Sequence, residues 1–147
     1  MSRLVWSVIL LAGLSSCNTL KVGSGDSSGL SKLDGTWEMD YISGPRIAFN
    51  GLYPGKKPVI TFQVKDMRVT GNSSCNSFSG KLEADDTKIN FNSPLISTKM
   101  ACPGEGEAVF FDMLKKVNLY SVNADTVLTF RTGDIAIMRF KKTSVTN

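Results

Sequence analysis

The feature that most constrains the fold is a series of short runs, from Leu33 onward, in which apolar and polar residues alternate. Trp37, Met39 and Tyr41, for example, are separated by single polar residues. Alternation with a period of two is typical of antiparallel strands that bury one face. Turn-forming residues separate the runs, and Gly133 lies where a turn with positive φ is expected. The seven further expected strands cover residues 59–64, 68–73, 80–84 together with 88–91, 95–98, 119–122, 126–130 and 135–140.

Residues 105–117 follow a helical period instead. Their apolar residues recur on one helix face, acidic residues lie near the start and lysines near the end, as the helix dipole favours. The pattern predicts the one good helix of the chain. We therefore expect a mainly β (α+β) fold, with about eight strands in a small antiparallel β-barrel-like or hairpin-stack domain. The helix is expected to cover an open end or face, and closure of the sheet would remove exposed edges.

A long connection, residues 43–58, is rich in Pro and Gly and too long for a tight hairpin. Four of its side chains are too apolar to lie in water, namely Ile47, Phe49, Leu52 and Tyr53. They either plug one end of the domain or form the lip of a ligand site. We favour the plug.

Length and composition exclude several classes of function. The chain has 147 residues, enough for one core of about 100–200 residues. Its net charge is +4, but the basic residues are scattered, so we expect no nucleic-acid partner. Histidine is absent, which excludes Ser-His-Asp and Cys-His nucleophile systems and removes the usual ligand of catalytic zinc. We expect a monomer without a cofactor or metal.

The first sixteen residues are typical of an export signal: one early positive charge, an apolar run of about eleven residues, then small residues. The run is too short to span a membrane, which takes about 20 residues. Leu14 to Cys17 resembles the bacterial lipobox. That resemblance implies lipid on the sulfur of Cys17, cleavage before this residue, and further acylation of the new amino terminus. Several acyl chains hold a protein on a membrane stably, whereas one chain binds reversibly.

The alternative is an ordinary secretory signal with an incidental cysteine. Residues 17–32 are dominated by Gly and Ser after the lipidated cysteine, so we expect a flexible tether. In lipoproteins sorted by the residue after the cysteine, Asp favours the inner membrane. Because Asn18 stands there, we prefer the periplasmic side of the outer membrane.

Two local patterns, residues 71–80 (GNSSCNSFSG) and 97–103 (STKMACP), resemble motifs of the META domain family, which is known from HslJ-like bacterial lipoproteins. The opening residues 33–37 (LDGTW) and the downstream Phe111, Leu114, Tyr120 and Leu128 fit the same profile. The resemblance therefore covers most of an expected domain at residues 33–142. It implies a small β-barrel-like fold with one helix, location in the bacterial cell envelope, and links to stress or drug tolerance without an established catalytic activity.

The family motifs include Asn76, Phe78, Gly80, Met100 and Pro103, and we expect all five to be structural. The sequence departs from the family pattern just before the Cys-Asn pair. Ser74 stands there in place of the usual Gly, so we expect a tight backbone conformation to be relaxed.

With Cys17 assigned to lipid, Cys75 and Cys102 remain as an even pair in an oxidising compartment, one in each motif. A disulfide between them is the favoured hypothesis, and two separately buried thiols are the alternative. On the chain-entropy estimate the bond would add about 3–4 kcal/mol of stability.

Three classes of function remain. The first is a noncatalytic envelope lipoprotein that is held on the membrane through Cys17 and binds an unknown envelope protein or ligand. The second is a lipocalin-like carrier of a small apolar molecule, in a barrel interior or under the loop of residues 43–58. The third is a carboxylate-dependent hydrolase, which the sequence supports poorly: Asp85 and Asp86 are adjacent, and we expect them to form a solvated turn.

Overall fold

The computed structural model describes residues 28–143. Cys17, the expected export signal and most of the expected tether lie outside these residues. The helices are α1 (Gly29–Leu33), α2 (Phe49–Leu52) and α3 (Gly106–Leu114). The strands are β1 (Gly35–Ile42), β2 (Val59–Gln63), β3 (Arg68–Asn72), β4 (Ser77–Lys81), β5 (Glu83–Ala84), β6 (Ile89–Asn90), β7 (Ile96–Ser97), β8 (Leu119–Asn123), β9 (Val127–Thr132) and β10 (Ile135–Lys142). None of the helices within residues 28–143 is long and apolar enough to cross a membrane.

Eight strands form one antiparallel sheet in the order β7-β4-β3-β2-β1-β10-β9-β8, and β5 pairs with β6 in a separate hairpin. The free edge of β8 meets that hairpin: the amide of Tyr120 donates to the carbonyl of Thr87 at 2.8 Å. Within the described residues the two end strands, β7 and β8, do not pair with each other. The mainly β, barrel-like fold is therefore confirmed, although the sheet stays open between β7 and β8.

The inner face of the curled sheet is packed with large side chains. Phe130 is at the centre, with ring centroids 5.1 Å from Phe140, 5.6 Å from Phe91 and 6.3 Å from Phe62. Such spacings allow the tilted and edge-on contacts that aromatic rings prefer. The largest fully buried side chains are those of Trp37, Phe62, Phe110, Phe130, Phe140, Leu33, Met39, Ile60, Leu82, Ile89, Leu114 and Leu128. This filling contradicts the lipocalin-like alternative in the form that places the ligand inside the barrel.

Strand β1 does not keep the expected alternation to its end. Trp37 and Met39 are buried as expected, but Tyr41 is 41% exposed and Ile42 faces the core instead. The pairing of β1 with β10 shifts register between Met39 and Tyr41. Such a bulge inserts one extra residue and reverses the faces of all residues beyond it. The prediction of an inward Tyr41 was therefore wrong.

The folded part begins earlier than the expected boundary at Leu33. Helix α1 starts at Gly29, capped by the side chain of Ser28, and Leu33 at its end is fully buried. The indole nitrogen of Trp37 donates to the carbonyl of Leu33 at 2.8 Å. The last residues of the expected tether are thus helical and are attached to the core.

Helix α3 covers one end of the curled sheet, as expected, but it is shorter than the predicted residues 105–117. Phe110 is fully buried, with its ring centroid 5.7 Å from that of Phe78 on β4. The connection between β1 and β2 packs at the same end, where the hydroxyl of Tyr53 donates to the carbonyl of Gly106 at 2.9 Å. Leu52 and Tyr53 are buried and act as the expected plug, whereas Ile47 remains 48% exposed.

Candidate functional site

The two family motifs meet at the covered end of the sheet, around the buried side chain of Asn76. This residue closes the turn between β3 and β4. Its Oδ1 accepts hydrogen bonds from the hydroxyl of Thr98 at 2.7 Å and from the amide of Met100 at 2.8 Å. One amide oxygen thereby holds the second motif against the first across more than twenty residues of sequence.

The Nδ2 group of Asn76 faces helix α3. It lies 3.0 Å from both carboxylate oxygens of Glu107, 3.0 Å from Sγ of Cys102 and 3.2 Å from the carbonyl oxygen of Met100. Hydrogen bonds to an ionised carboxylate are about twice as strong as those between neutral groups. Asn76 thus connects the β3–β4 turn, the segment before α3 and the first turn of α3.

Ser73 completes this polar cluster, which consists of Ser73, Asn76, Thr98 and Glu107. Ser73 is fully buried, and its hydroxyl donates to Oε2 of Glu107 at 2.6 Å. The amide of Ser73 donates to the carbonyl of Asn76 at 2.8 Å, and the amide of Asn76 lies 3.2 Å from Oε2 of Glu107. Buried polar groups are costly unless they are paired, and here they are paired with each other.

The sequence does not identify Glu107 as a site residue, because an acidic residue near the start of a helix is already explained by the helix dipole. Its one distinguishing signal is its place just after the second motif, in the first turn of α3. A carboxylate there is favoured by the helix dipole whether or not it has a partner. Local spacing therefore does not reveal that it meets Asn76.

A disulfide joins Cys75 to Cys102, with a Cα–Cα distance of 6.0 Å. It lies beside the polar cluster, since Cys75 precedes Asn76 and Sγ of Cys102 contacts the Asn76 amide. The alternative of two separately buried thiols is therefore wrong. The covalent bond and the hydrogen bonds of Asn76 hold the same two segments together.

The expectation of a relaxed backbone at Ser74 was wrong as well. Ser74 has a φ of +88°, in the region that favours glycine. The turn thus keeps the conformation that the family's usual glycine would adopt without strain. Its surroundings, tied by the adjacent disulfide and by Asn76, hold the serine in that conformation.

The remaining motif residues divide between packing and exposure. Phe78 is buried, with its ring centroid 5.5 Å from that of Phe111. A Cβ on Gly80 would lie 2.5 Å from a methyl carbon of Leu95, so a larger residue would require that side chain to shift. Met100 contributes its backbone to the cluster while its side chain is exposed, and Pro103 is exposed in the segment that leads to α3. Cys17 lies outside the described residues.

An open cleft of about 480 Å³ lies between α3 and the segment that contains β7. Its apolar walls include Phe91, Leu95 and Phe111, and the side chain of Lys115 lies at the cleft. Ile96, next to it on β7, is 76% exposed. The cleft has the size of a small-ligand or side-chain pocket, which is typically about 300–1,000 Å³.

The pair Asp85 and Asp86 forms the expected turn. The carboxylate of Asp85 accepts hydrogen bonds from the amides of Lys88 at 2.7 Å and Thr87 at 2.9 Å, and these bonds lower its pKa. A hydrogen bond from Ser93 likewise lowers the pKa of Glu83. Both shifts are opposite to the raised pKa that a general acid needs near neutral pH.

Burial raises the pKa of two tyrosines. The pKa of Tyr120 is raised to about 12, first by burial and then by the charges of Asp86 and Asp85. Its hydroxyl donates to the carbonyl of Asp85 at 2.6 Å. Burial also raises the pKa of Tyr53. Both side chains therefore stay neutral and act as hydrogen-bond donors that tie loops to the sheet.

The family model of the META domain matches residues 30–145. The NMR structure of a protein from Burkholderia xenovorans is similar, with a TM-score of 0.62 and 20% identity over 79% of this chain and 87% of that chain. The crystal structure of a DUF4847 family protein from Bacteroides vulgatus has a TM-score of 0.51 and 19% identity over 76% of this chain and 96% of that chain. At such identities the likeness concerns the fold alone. No protein with a curated description matches the chain. Because the family model covers more than half of the sequence, which also carries both motifs around Asn76, this protein belongs to the META domain family.

Proposed function

We propose that this protein is a lipid-anchored, noncatalytic META-domain lipoprotein of the bacterial envelope that binds an extended segment of another envelope protein. The single observation that carries the proposal is the end of the main sheet at β7. Strand β7 pairs with β4 on one side only and is the last strand of the sheet. Sheet edges present unpaired backbone groups and readily accept another strand.

The surroundings of β7 favour a protein segment as the ligand. The cleft beside it offers apolar walls for one or two side chains, while Lys115 offers a positive charge to an acidic residue. Ile96 adds an exposed apolar side chain on β7 itself. Backbone pairing for affinity and pockets for side chains are the two elements of recognition by strand addition.

The polar cluster supports this function by holding the edge in place. Thr98 follows β7 directly, and its hydroxyl donates to Asn76 while its own amide donates to the carbonyl of Ser77 at 3.0 Å. The disulfide fixes Cys102 a few residues further on. A surface that is already ordered loses less conformational entropy when it binds. On this proposal, the structural motif keeps the binding edge ordered.

The N-terminal sequence supports the proposed location. The lipobox-like residues ending at Cys17 support a lipid anchor, and Asn18 supports the outer membrane. A role in stress or drug tolerance is the corresponding expectation for a META-domain lipoprotein. The chain acts, on this proposal, as a monomer that places its binding edge at a distance from the membrane.

In-cell photo-crosslinking tests the proposal. A photoreactive amino acid replaces Ile96 in the full-length protein of the native bacterium, and the matched control replaces Ile135, which is 68% exposed on β10. We expect one dominant crosslinked envelope protein from the Ile96 position, little from the Ile135 position, and loss of the adduct in Cys17→Ala. Equal adduct patterns from the two positions, or none from Ile96, contradict the proposal.

The cleft itself favours a second candidate, a carrier of a small apolar acid held outside the barrel, with its carboxylate near Lys115. Organic extraction of the purified lipoprotein, after removal of loosely held lipid, distinguishes the two. A stoichiometric acid that is lost in Lys115→Gln but kept in Lys116→Gln supports the carrier, because Lys116 does not line this cleft. If no such acid is extracted, the result favours the proposal that the protein binds a segment of another protein.

A further inference from the structure

The disulfide and the polar cluster together form a second chemical site, which does not depend on the binding edge at β7. The sulfur atoms of Cys75 and Cys102 and a carboxylate oxygen of Glu107 all lie within 4.8 Å of one another. All three side chains are half-buried. In the oxidised chain the two sulfurs are bonded to each other and are not available as thiolates.

We propose that reduction of the Cys75–Cys102 disulfide converts this cluster into a binding site for a thiophilic divalent cation such as Zn²⁺, with Cys75, Cys102 and Glu107 as ligands and water in the fourth position. Zn²⁺ takes thiolate and carboxylate ligands in tetrahedral geometry, with metal–ligand distances of about 2.0–2.3 Å. Ligand atoms that begin within 4.8 Å of each other can converge on such an ion through side-chain rotation.

The third ligand, Glu107, is already held in position in the oxidised chain. The carboxylate of Glu107 already accepts hydrogen bonds from Ser73 and Asn76, which hold it beside the sulfurs. Reduction separates the two sulfur atoms and makes each of them available as a metal ligand next to this carboxylate. The oxidised chain lacks these two ligands, because its sulfur atoms are bonded to each other.

Asn76 acts as the positioning residue of the proposed site. Its Nδ2 group contacts both Sγ of Cys102 and the carboxylate of Glu107 at 3.0 Å. Hydrogen bonds from outside the ligand set orient metal ligands, and their loss typically costs about 10–100-fold in metal affinity. The cluster thus supplies ligands and their support in the same small volume.

The chemistry balances with an external dithiol as reductant. The S–S bond breaks as it accepts two electrons and two protons from the dithiol, which is oxidised to its own disulfide. Binding of Zn²⁺ then replaces the two thiol protons, which pass to solvent. Reoxidation by a disulfide donor reverses the sequence and releases the metal.

Metal titration of the full-length protein in detergent tests the proposal. The chain is reduced with a phosphine under argon, freed of reductant, and titrated with Zn²⁺ against a chromogenic chelator and with Co²⁺ for thiolate charge-transfer absorption. We expect one ion for each reduced chain and none for the oxidised chain. Glu107→Gln and Asn76→Ala should each weaken binding by about tenfold or more, and Cys102→Ser should abolish the charge-transfer band.

The matched control is Asp112→Asn, an exposed carboxylate on the same helix, which should bind Zn²⁺ as the wild type does. Three results overturn the proposal. One is a reduced chain that binds no ion, and another is a Glu107→Gln variant with unchanged affinity. The third is a reduced chain that loses its β-sheet circular dichroism even with Zn²⁺ present, because the site requires folded geometry. None of these results bears on crosslinking at Ile96.

Discussion

Substitution of Asn76 by Ala removes the centre of the polar cluster and allows a quantitative test of its importance. In the native protein the side chain of Asn76 makes two well-formed neutral hydrogen bonds, with Thr98 and Met100, and one with the carboxylate of Glu107. A neutral hydrogen bond contributes about 1 kcal/mol net, and one to a charged group about 1.5–3 kcal/mol. The expected loss is therefore about 4 kcal/mol of unfolding free energy, a large part of the roughly 5–15 kcal/mol typical of a domain.

Equilibrium urea unfolding of the oxidised protein measures this loss. The matched control is Asn72→Ala at the end of β3. The Nδ2 of Asn72 reaches the carbonyl of Cys75 only at 3.4 Å, and its buried Oδ1 has no hydrogen-bond partner among the described residues. We expect this control to lose less than about 1 kcal/mol. A loss below about 1 kcal/mol for Asn76→Ala, or equal losses for the two variants, would show that the hydrogen bonds of Asn76 do not stabilise the domain as expected.

Three other predictions concern the backbone and alkaline pH. A Cβ on Gly71 would clash with the carbonyl oxygen of Val59 on β2, so Gly71→Ala should lower the free energy of unfolding by about 1–3 kcal/mol, measured by urea unfolding. Gly55→Ala, with nothing within 4 Å of the added Cβ, should cost little. Ser74→Gly should stabilise by about 1 kcal/mol, since relief of positive-φ strain of about 1–3 kcal/mol exceeds the added freedom of the unfolded chain; an unchanged or lower midpoint would contradict this. Tyr120 keeps its proton to about pH 12 in the folded chain, whereas an unfolded tyrosine loses it near pH 10. The free energy of unfolding should therefore be highest below about pH 10 and should fall as the pH rises from about 10 to 12. Tyr120→Phe should make this fall shallower. An identical pH profile in the variant would show that Tyr120 is not its cause.

The sequence predicts the fold well where one residue spacing controls burial. Alternation locates β1, β2 and β3, and the helical period correctly places Phe110 of α3 in the hydrophobic core. Alternation fails at the bulge in β1, where one extra residue turns Tyr41 outward and Ile42 toward the core. The bulge depends on the pairing of β1 with β10 and not on the local sequence pattern. The sequence pattern also fails at α1, whose Gly and Ser composition indicates a tether although Leu33 is buried by distant parts of the chain.

The sequence predicts several residues of the site but not the contacts between them. The two motifs identify Asn76 and the cysteine pair, since these residue types stand out from their surroundings. The contact of Asn76 with Glu107 joins residues 31 positions apart and depends on how α3 lies over the end of the sheet. The conformation of Ser74 follows from the same tertiary constraints, which override the preference of serine for negative φ.

The intact mass of the protein, purified from membranes of its native bacterium without reductant, tests the lipid anchor and the disulfide together. We expect a chain that begins at Cys17, carries the mass of diacylglycerol and an amide-linked acyl chain, and lacks the two hydrogens removed by the Cys75–Cys102 bond. A soluble, unlipidated chain that still begins at Met1 and has alkylatable thiols at both positions would contradict this expectation.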